Sequence, residues 1–310
     1  MRASVAIAIV GLTLPVASGA SAQAAGAKHV RTSNVAVHLG RHRCAKTAVN
    51  GINNRGVVLG TSYCGRAKAF IKTPKGKTRT YTLPKSDARY TYGSNIASDG
   101  TLALDGSRTK KGQSIGYLVS PHGRVTAVQD PSAGSFSTIV SSVNRHGAAV
   151  GQYCLNHKCT RSMPFIYRGG NFKTFTLHRR GALLPSLSVI TDSGAVGGSF
   201  YQRPGYSRAF VKRGHHIHVY DAPQGGRKLG EGTYLSGAGS HGTLCGNVQR
   251  RHQHMKGFVV KHGHEYVVDL HPKHRAAGTG ILTCNSHAEF GGTAIKPGTR
   301  SGEGFIGRVG

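Results

Sequence analysis

The chain is 310 residues long and sets 41 Lys and Arg against 11 Asp and Glu, a formal net charge of +30. So basic a balance bears on solubility, anionic partners and association rate, not on fold. The one long apolar run, at the N-terminus, is shorter than the roughly 20 residues a bilayer span needs, and no second one follows, so no membrane span is expected in the mature chain.

Met1-Arg2 supplies a positive start, residues 3–17 are apolar, and the small-x-small triplet Ala22-Gln23-Ala24 follows. Together they read as a secretory signal peptide, residues 1–24, with cleavage after Ala24. No Cys lies near that point to take a lipid. A secreted or periplasmic protein is expected, with residues 25–310 forming one domain. Its net charge is +29, from 40 Lys and Arg against 11 Asp and Glu.

Further along, "NGINNRGVVLG" (50–60) is echoed by "VSSVNRHGAAVG" (140–151). A turn glycine anchors each member of a longer series: Gly56, Gly100, Gly147, Gly194 and Gly242, with Ala288 in a weaker sixth copy. The spacings are 44, 47, 47, 48 and 46 residues. Four residues on, a second glycine recurs at Gly60, Gly151, Gly198, Gly246 and Gly292, and the second copy departs with Leu104. A small-aromatic-aliphatic triplet keeps the same beat: Ala69-Phe70-Ile71, Gly116-Tyr117-Leu118, Pro164-Phe165-Ile166, Ala209-Phe210-Val211, Gly257-Phe258-Val259 and Gly304-Phe305-Ile306. Two markers in step through six copies define a repeat protein.

Each copy reads as four short strands. In the first they are "TAVNGIN", "GVVLGTS", "KAFIKT" and "TRTYTLP", separated by tight-turn signals such as "NNRG" and "PKGK". The mature chain offers no long helical period. Four-stranded units at this spacing are the signature of a propeller, whereas a two-domain sandwich gives no reason for six equal units. The predicted fold is all-β: a six-bladed β-propeller of about 47-residue repeats. Its blades are expected near 47–84, 88–131, 134–179, 182–223, 230–272 and 278–310. The last copy ends after its third strand, in "EGFIGRVG", while residues 30–40 read like a stray fourth strand. That N-terminal strand, residues 35–39 above all, is expected to pair with the strand of Phe305 and close the ring, removing its open edges.

The pattern "VNGINNRGVVLGTSYCGRAKAFIK" resembles the extracellular repeats named for a His-Ala-Phe signature, the HAF repeats. The resemblance spans all six copies, residues 47–306. The literal triplet is absent; Lys68-Ala69-Phe70 and Arg208-Ala209-Phe210 come nearest, with a base in the histidine's place. The resemblance implies an exported, propeller-like protein and carries over no catalytic residues.

Six cysteines in an exported chain read as three disulfides. Cys44 and Cys64 lie equally far from residue 54, inside the first hairpin turn, so they face each other at its open end. Cys154 and Cys159 flank the short loop "LNHK". Cys245 and Cys284 pair by exclusion and would tie neighbouring blades. Metal binding is the alternative, and no Cys-x-x-Cys pair exists. No Asn-x-Ser/Thr sequon occurs.

Motifs of catalysis are missing: there is no Gly-x-Ser-x-Gly elbow, no His-Glu-x-x-His and no phosphate loop. Asp99, Asp192 and Asp105 fall at or near the repeat hairpins, where Asp ordinarily serves the turn. Of 18 histidines, His216 and His218 alternate onto one strand face, a spacing that can grip zinc or copper(II). No carboxylate or Cys stands nearby to complete a set. A polar surface strand is therefore expected there, with no catalytic residue, metal or cofactor assigned.

The charge gains meaning once it is laid on the meander. Successive strands alternate direction, so connections after strands two and four lie at one end of the ring. After strand two come Arg66, Lys68, Arg108, Lys110, Lys111, Lys158, Arg161, Arg203, Arg208, Arg250, Arg251, Lys256, Lys296 and Arg300. Connections between copies add 11, among them Arg41, Arg43, Lys46, Lys85 and Arg89. Thus 25 of the 40 bases fall at one end, a broad face for anions.

The expected function is a secreted, monomeric, non-enzymatic binding propeller for an anionic polymer: acidic polysaccharide, lipopolysaccharide, teichoic acid or extracellular DNA. The second reading is a carbohydrate-active enzyme, a polysaccharide lyase or glycosidase, with its site on the axis. Convergent Asp, Glu, His or Tyr at the axis would favour the enzyme, and a basic but chemically mute rim the binder. N-terminal sequencing of exported material should begin at Ala25; retention of residues 1–24 would remove the basis for export.

Overall fold

The computed structural model describes residues 30–310 except 36, 40–41, 85–87, 109–111, 135, 204, 241, 274–277, 296–297 and 299–301. The signal peptide expected at 1–24 lies outside them. Strand β1 (Val30–Val35) comes first, then a small hairpin of β2 (Val37–Leu39) and β3 (His42–Cys44). Unit one is β4 (Thr47–Ile52), β5 (Val58–Ser62), β6 (Lys68–Lys72) and β7 (Thr78–Tyr81). Unit two is β8 (Tyr90–Ile96), β9 (Leu102–Ser107), β10 (Ser114–Val119) and β11 (Val125–Val128). Unit three is β12 (Thr138–Val143), β13 (Ala149–Cys154), β14 (Ser162–Arg168) and β15 (Asn171–Thr174). Unit four is β16 (Ala182–Ile190), β17 (Val196–Gln202), β18 (Tyr206–Arg213) and β19 (His216–Tyr220). Unit five is β20 (Gly232–Ala238), β21 (Leu244–Gln249), β22 (Lys256–Lys261) and β23 (His264–Val268). Unit six supplies β24 (Thr279–Cys284), β25 (Glu289–Ile295) and β26 (Gly302–Val309) and takes β1 as its fourth strand.

Within each unit the strands run antiparallel, as short hairpins require. The first strands β4, β8, β12, β16, β20 and β24 each pack on the next, and β24 packs on β4. The units therefore stand side by side around an axis, first strands innermost. This is a β-propeller.

Closure differs in detail from expectation. β1 pairs with β26 from Val30↔Val309 to Val35↔Gly304, so the closing strand is Val30–Val35, not residues 35–39. Beyond Gly304 the position is taken: Lys46 bridges Glu303, while the Thr47 hydroxyl donates to the Val35 carbonyl at 2.6 Å and accepts from the Gly304 N–H at 3.1 Å. Val37–Leu39 turns off into the β2–β3 hairpin instead.

The repeated triplet explains the packing. Adjacent residues on a strand point to opposite faces, and each unit has a neighbour on both. Phe210 joins the apolar cluster shared with unit three, while Val211 joins the cluster shared with unit five. Phe165 and Ile166, Phe258 and Val259, and Phe305 and Ile306 divide the same way. All six signature aromatics are buried. The small residue ahead of them lets the next first strand approach.

The second glycine of each copy has an equally local cause. A Cβ on Gly60 would lie 2.3 Å from the Ala48 carbonyl oxygen and 2.4 Å from Phe70 Cζ. Where the second copy departs, the pair is exchanged: Leu104 sits opposite Gly93, whereas Gly60 sits opposite Val49. One glycine per pair is what the space demands, and either strand can supply it.

Nine residues before the anchor a threonine recurs: Thr47, Thr91, Thr138, Thr233 and Thr279, with Pro185 in unit four. Thr91, Thr138, Thr233 and Thr279 accept an N–H, from Leu83, Asp130, Ala222 and Leu270, of the segment leading in from the unit before. The three disulfides are Cys44–Cys64, Cys154–Cys159 and Cys245–Cys284, with Cα separations of 5.8, 4.9 and 6.1 Å. The last joins units five and six, beside the closure. Among the described residues no helix is long and apolar enough to cross a membrane.

Thr47 thus stitches the closing strand to the ring. Thr47→Val keeps the shape and strands a buried N–H and carbonyl, so it should cost about 1–3 kcal/mol. Denaturant unfolding checks the value, and proteolysis should cut first near residues 30–35; unchanged stability would mean the closure does not depend on this hydroxyl.

Candidate functional site at the propeller axis

Each first strand carries a register irregularity at the same place: Val49/Gly51, Gly93/Asn95, Val140/Ser142, Leu187/Val189, Leu235/Gly237 and Ile281/Thr283. An extra residue in one strand re-aims its side chain. Here the extra residues are Asn50, Ser94, Ser141, Ser188, Ser236 and Leu282, and all six line one axial cavity of about 990 Å³. Thr61, Asp105, Gln152 and Ser199 of the second strands join them, with Tyr63, Tyr92, Tyr201 and Tyr234. The wall mixes hydroxyl, amide and phenol groups with apolar side chains such as Ile139, Leu184 and Phe200.

These polar rows also bind the units together. The Thr61 hydroxyl donates to Asn50 Oδ1 at 3.3 Å and accepts the Gly93 N–H of unit two at 3.0 Å. Asp105 accepts from Ser94 Oγ at 2.8 Å and from the Val140 N–H of unit three at 3.0 Å. Asn247 donates to Ser236 Oγ at 3.1 Å and accepts the Ile281 N–H of unit six at 2.8 Å.

Asp105 departs from its expected role: it lies within β9, not in a turn, and its carboxyl is half-buried in the cavity wall. Burial pushes its pKa up from 3.8 to about 7, while the bonds from Val140 and Ser94 pull the other way. Burial likewise raises the Tyr63 and Tyr234 phenols, so they stay neutral.

The hairpin end of the axis holds a smaller space, about 230 Å³. There the protein's own bonds converge. Asn53, Asn144 and Asn285 donate to Ala97, Thr191 and Asn53 carbonyls of the following units at 3.2, 3.0 and 2.9 Å. Asp192 accepts from Ser98 Oγ at 2.5 Å and the Arg145 N–H at 3.0 Å.

The larger cavity opens at the other end, where connections between second and third strands contribute Tyr63, Gln113 and Lys158 to its lining. Arg66, Arg108, Lys158, Arg161, Arg203, Arg250 and Arg251 are exposed in those connections; Lys68, Arg208 and Lys256 are half-buried at strand starts. Two bases expected to meet anions are already engaged. Arg208 holds Asp221 with two bonds, at 2.9 and 2.5 Å. Lys256 lies 3.6 Å from Asp269, whose carboxylate also pairs with His254 at 2.8 Å. Lys110, Lys111, Lys296 and Arg300 lie outside the described residues. His216 and His218 are exposed on the outer strand β19, and among the described residues no three His, Cys, Asp or Glu side chains form a group able to hold a metal.

The sequence reading missed the axial tyrosines and the polar rows. A signal was present: five residues after the anchor stand Thr61, Asp105, Gln152, Ser199, Asn247 and Thr293, polar in every copy.

No protein-family model matches the chain, and no curated protein matches it. Solved structures resemble it in fold. TolB from Acinetobacter baumannii is 9% identical with a TM-score of 0.50 over 72% of this chain, which spans 56% of TolB's length. A gluconolactonase from Xanthomonas campestris is 13% identical (TM-score 0.48; 95% of this chain, 99% of that one). AofleA from Arthrobotrys oligospora is 12% identical (TM-score 0.48; 93% and 95%). At these identities the likeness concerns fold alone.

Asp105 makes stability depend on pH. Between about 4 and 7 the folded protein keeps a proton that the unfolded chain has lost, so this group's contribution falls as pH rises through that window and is level above it. Asp105→Asn copies Asn247, keeps the acceptor for Val140 and removes the charge. Its Tm should match the parent near pH 4 and exceed it at pH 8 by about 2–4 °C for each kcal/mol relieved. Parallel Tm-pH curves would mean that Asp105 does not titrate there.

Proposed function

We propose that the protein is an exported, non-enzymatic binding propeller, built of HAF-type repeats, that takes anionic polymers on the end of the ring where its larger axial cavity opens. The observation carrying this reading is the charge of the second-to-third strand connections. Residues 63–67, 108–113, 155–161, 203–205, 250–255 and 296–301 contain bases in every copy and no Asp or Glu. Three acids near that end are engaged: Asp221 by Arg208, Asp269 by His254, and Glu231 by the N–H groups of Lys228 and Arg251 at 2.9 and 2.8 Å. Arg66, Arg161, Arg203, Arg250 and Arg251 are exposed there. Three disulfides fit an oxidising compartment.

Asp105 and the axial tyrosines favour the enzyme reading, but both Asp105 oxygens already accept protein hydrogen bonds. A glycosidase pair would need a second carboxyl beside it, and Asp105 is the one carboxylate lining the larger cavity among the described residues. Binding is the better supported reading.

Double-stranded DNA serves as a probe polyanion. Its affinity should fall with salt, with a log-log slope of about −0.9 for each phosphate neutralised. Reversing Arg66, Arg203, Arg250 and Arg251 to Glu should flatten that slope and remove most of the affinity, while reversing Lys75, Arg124, Arg168 and Arg213 at the other end should change it little. Equal losses from the two sets would mean diffuse charge and no binding face.

A further inference from the structure

Unit four breaks the repeat in several places, and they gather at the axial cavity. Pro185 replaces the threonine that elsewhere accepts an N–H. Beside it Leu184 adopts a φ of +48° and stands 76% exposed at the cavity wall, a conformation costly for a side chain of that size. In units one, two and five, the extra residue of the first strand bonds a polar residue on the second (Thr61, Asp105 or Asn247), which reaches the next unit's N–H. Unit four has serine at both positions. Ser188 and Ser199 are 4% and 5% exposed, both line the cavity, and neither Oγ has a hydrogen-bond partner. Two buried hydroxyls without partners are costly unless something else bonds them.

Their surroundings narrow what that is. Tyr201 and Tyr234 line the same cavity with their phenols bonded to each other, and each ring presents an apolar face beside that polar tip. The nearest formal charges in the lining are Asp105, with both oxygens engaged, and Lys158 in an exposed connection. A hydroxyl both donates and accepts, so a partner rich in hydroxyls satisfies serine and tyrosine alike without bringing charge. At about 990 Å³ the space lies at the upper end of the roughly 300–1,000 Å³ typical of small-molecule sites, large enough for several sugar rings.

We propose that the axial cavity binds an uncharged saccharide, held on the unit-four side by Ser188, Ser199, Tyr201 and Tyr234. This site is separate from the basic rim and does not depend on it. Polyanion binding at the rim releases counterions, whereas hydroxyl contacts inside the cavity release none.

Calorimetry reads the binding, and because the chain has no Trp and four of its 12 Tyr line the cavity, a change in tyrosine emission is a second readout. Cellohexaose, chitohexaose, laminarihexaose and maltohexaose are the probes. At least one should bind saturably, with affinity unchanged between about 0.05 and 0.5 M salt and unaffected by the four rim reversals to Glu. Ser188→Leu copies Leu282 of unit six, which the fold accommodates at the equivalent position, and should abolish that binding. Ser199→Ala removes a hydroxyl that nothing in the protein bonds, so it should leave stability level or slightly higher while weakening the sugar about two- to tenfold. Absence of saturable binding by all four sugars, salt-dependent binding, or full affinity in Ser199→Ala would each overturn the proposal.

Discussion

Every unit in this ring is a sheet with two apolar faces, and neither face can be left to water. The adjacent aromatic and aliphatic residues of each third strand point in opposite directions, one into the unit before and one into the unit after. A single unit would expose both, and an open row of units would expose two. The cost of leaving Phe70 or Phe305 uncovered, on the order of 1.5–3 kcal/mol per side chain, drives the row to close on itself. Closure then needs a fourth strand for unit six, and the chain supplies it from the opposite terminus in β1. The disulfide between Cys245 and Cys284 lies at the neighbouring junction, where the cross-link constrains the unfolded chain across the seam.

Closing the ring creates the axis, and a shared irregularity of the first strands decides what faces it. Because the extra residue is polar in five of six units, the centre is a wet-walled cavity in place of an apolar plug. The same side chains carry load between units: Thr61, Asp105 and Asn247 hold the backbone of the next unit. Unit four has serine at both positions and makes no such bond. Elsewhere a departure can be compensated, as Leu104 is by Gly93, whereas Ser188 and Ser199 leave two buried hydroxyls without a protein partner at the cavity wall.

The distribution of charge follows a similar economy. Acids are few, and those described are placed against named partners: Asp221 against Arg208, Asp269 against His254, Asp192 against Ser98 and Arg145. The bases outnumber them and remain on the surface, where long side chains keep their charged heads in water. A protein so arranged has two chemically different surfaces at one mouth: a basic rim and an interior lined mainly by uncharged groups.

Much of this was legible along the chain because it is local. The anchor glycines, the triplet and the Cys44–Cys64 and Cys154–Cys159 spacings are one-dimensional signals, each with a cause within one hairpin or one strand, while Cys245 and Cys284 paired by exclusion. They determined the repeat, the all-β class, the origin of the closing strand and the three cysteine pairs. What the sequence left open are relations between strands. Whether β1 ends at Val35 depends on Lys46 already occupying Glu303 across the seam. Whether Arg208 is free depends on Asp221, thirteen residues on and brought beside it by the β18–β19 pairing. Asp105 read as a turn residue because an Asp near a hairpin commonly is one; only the register of β8 on β9 turns it to the axis. The cavity belongs to no single copy. It exists because six strands with the same irregularity meet around one line, and a meeting of that kind is decided by tertiary packing alone.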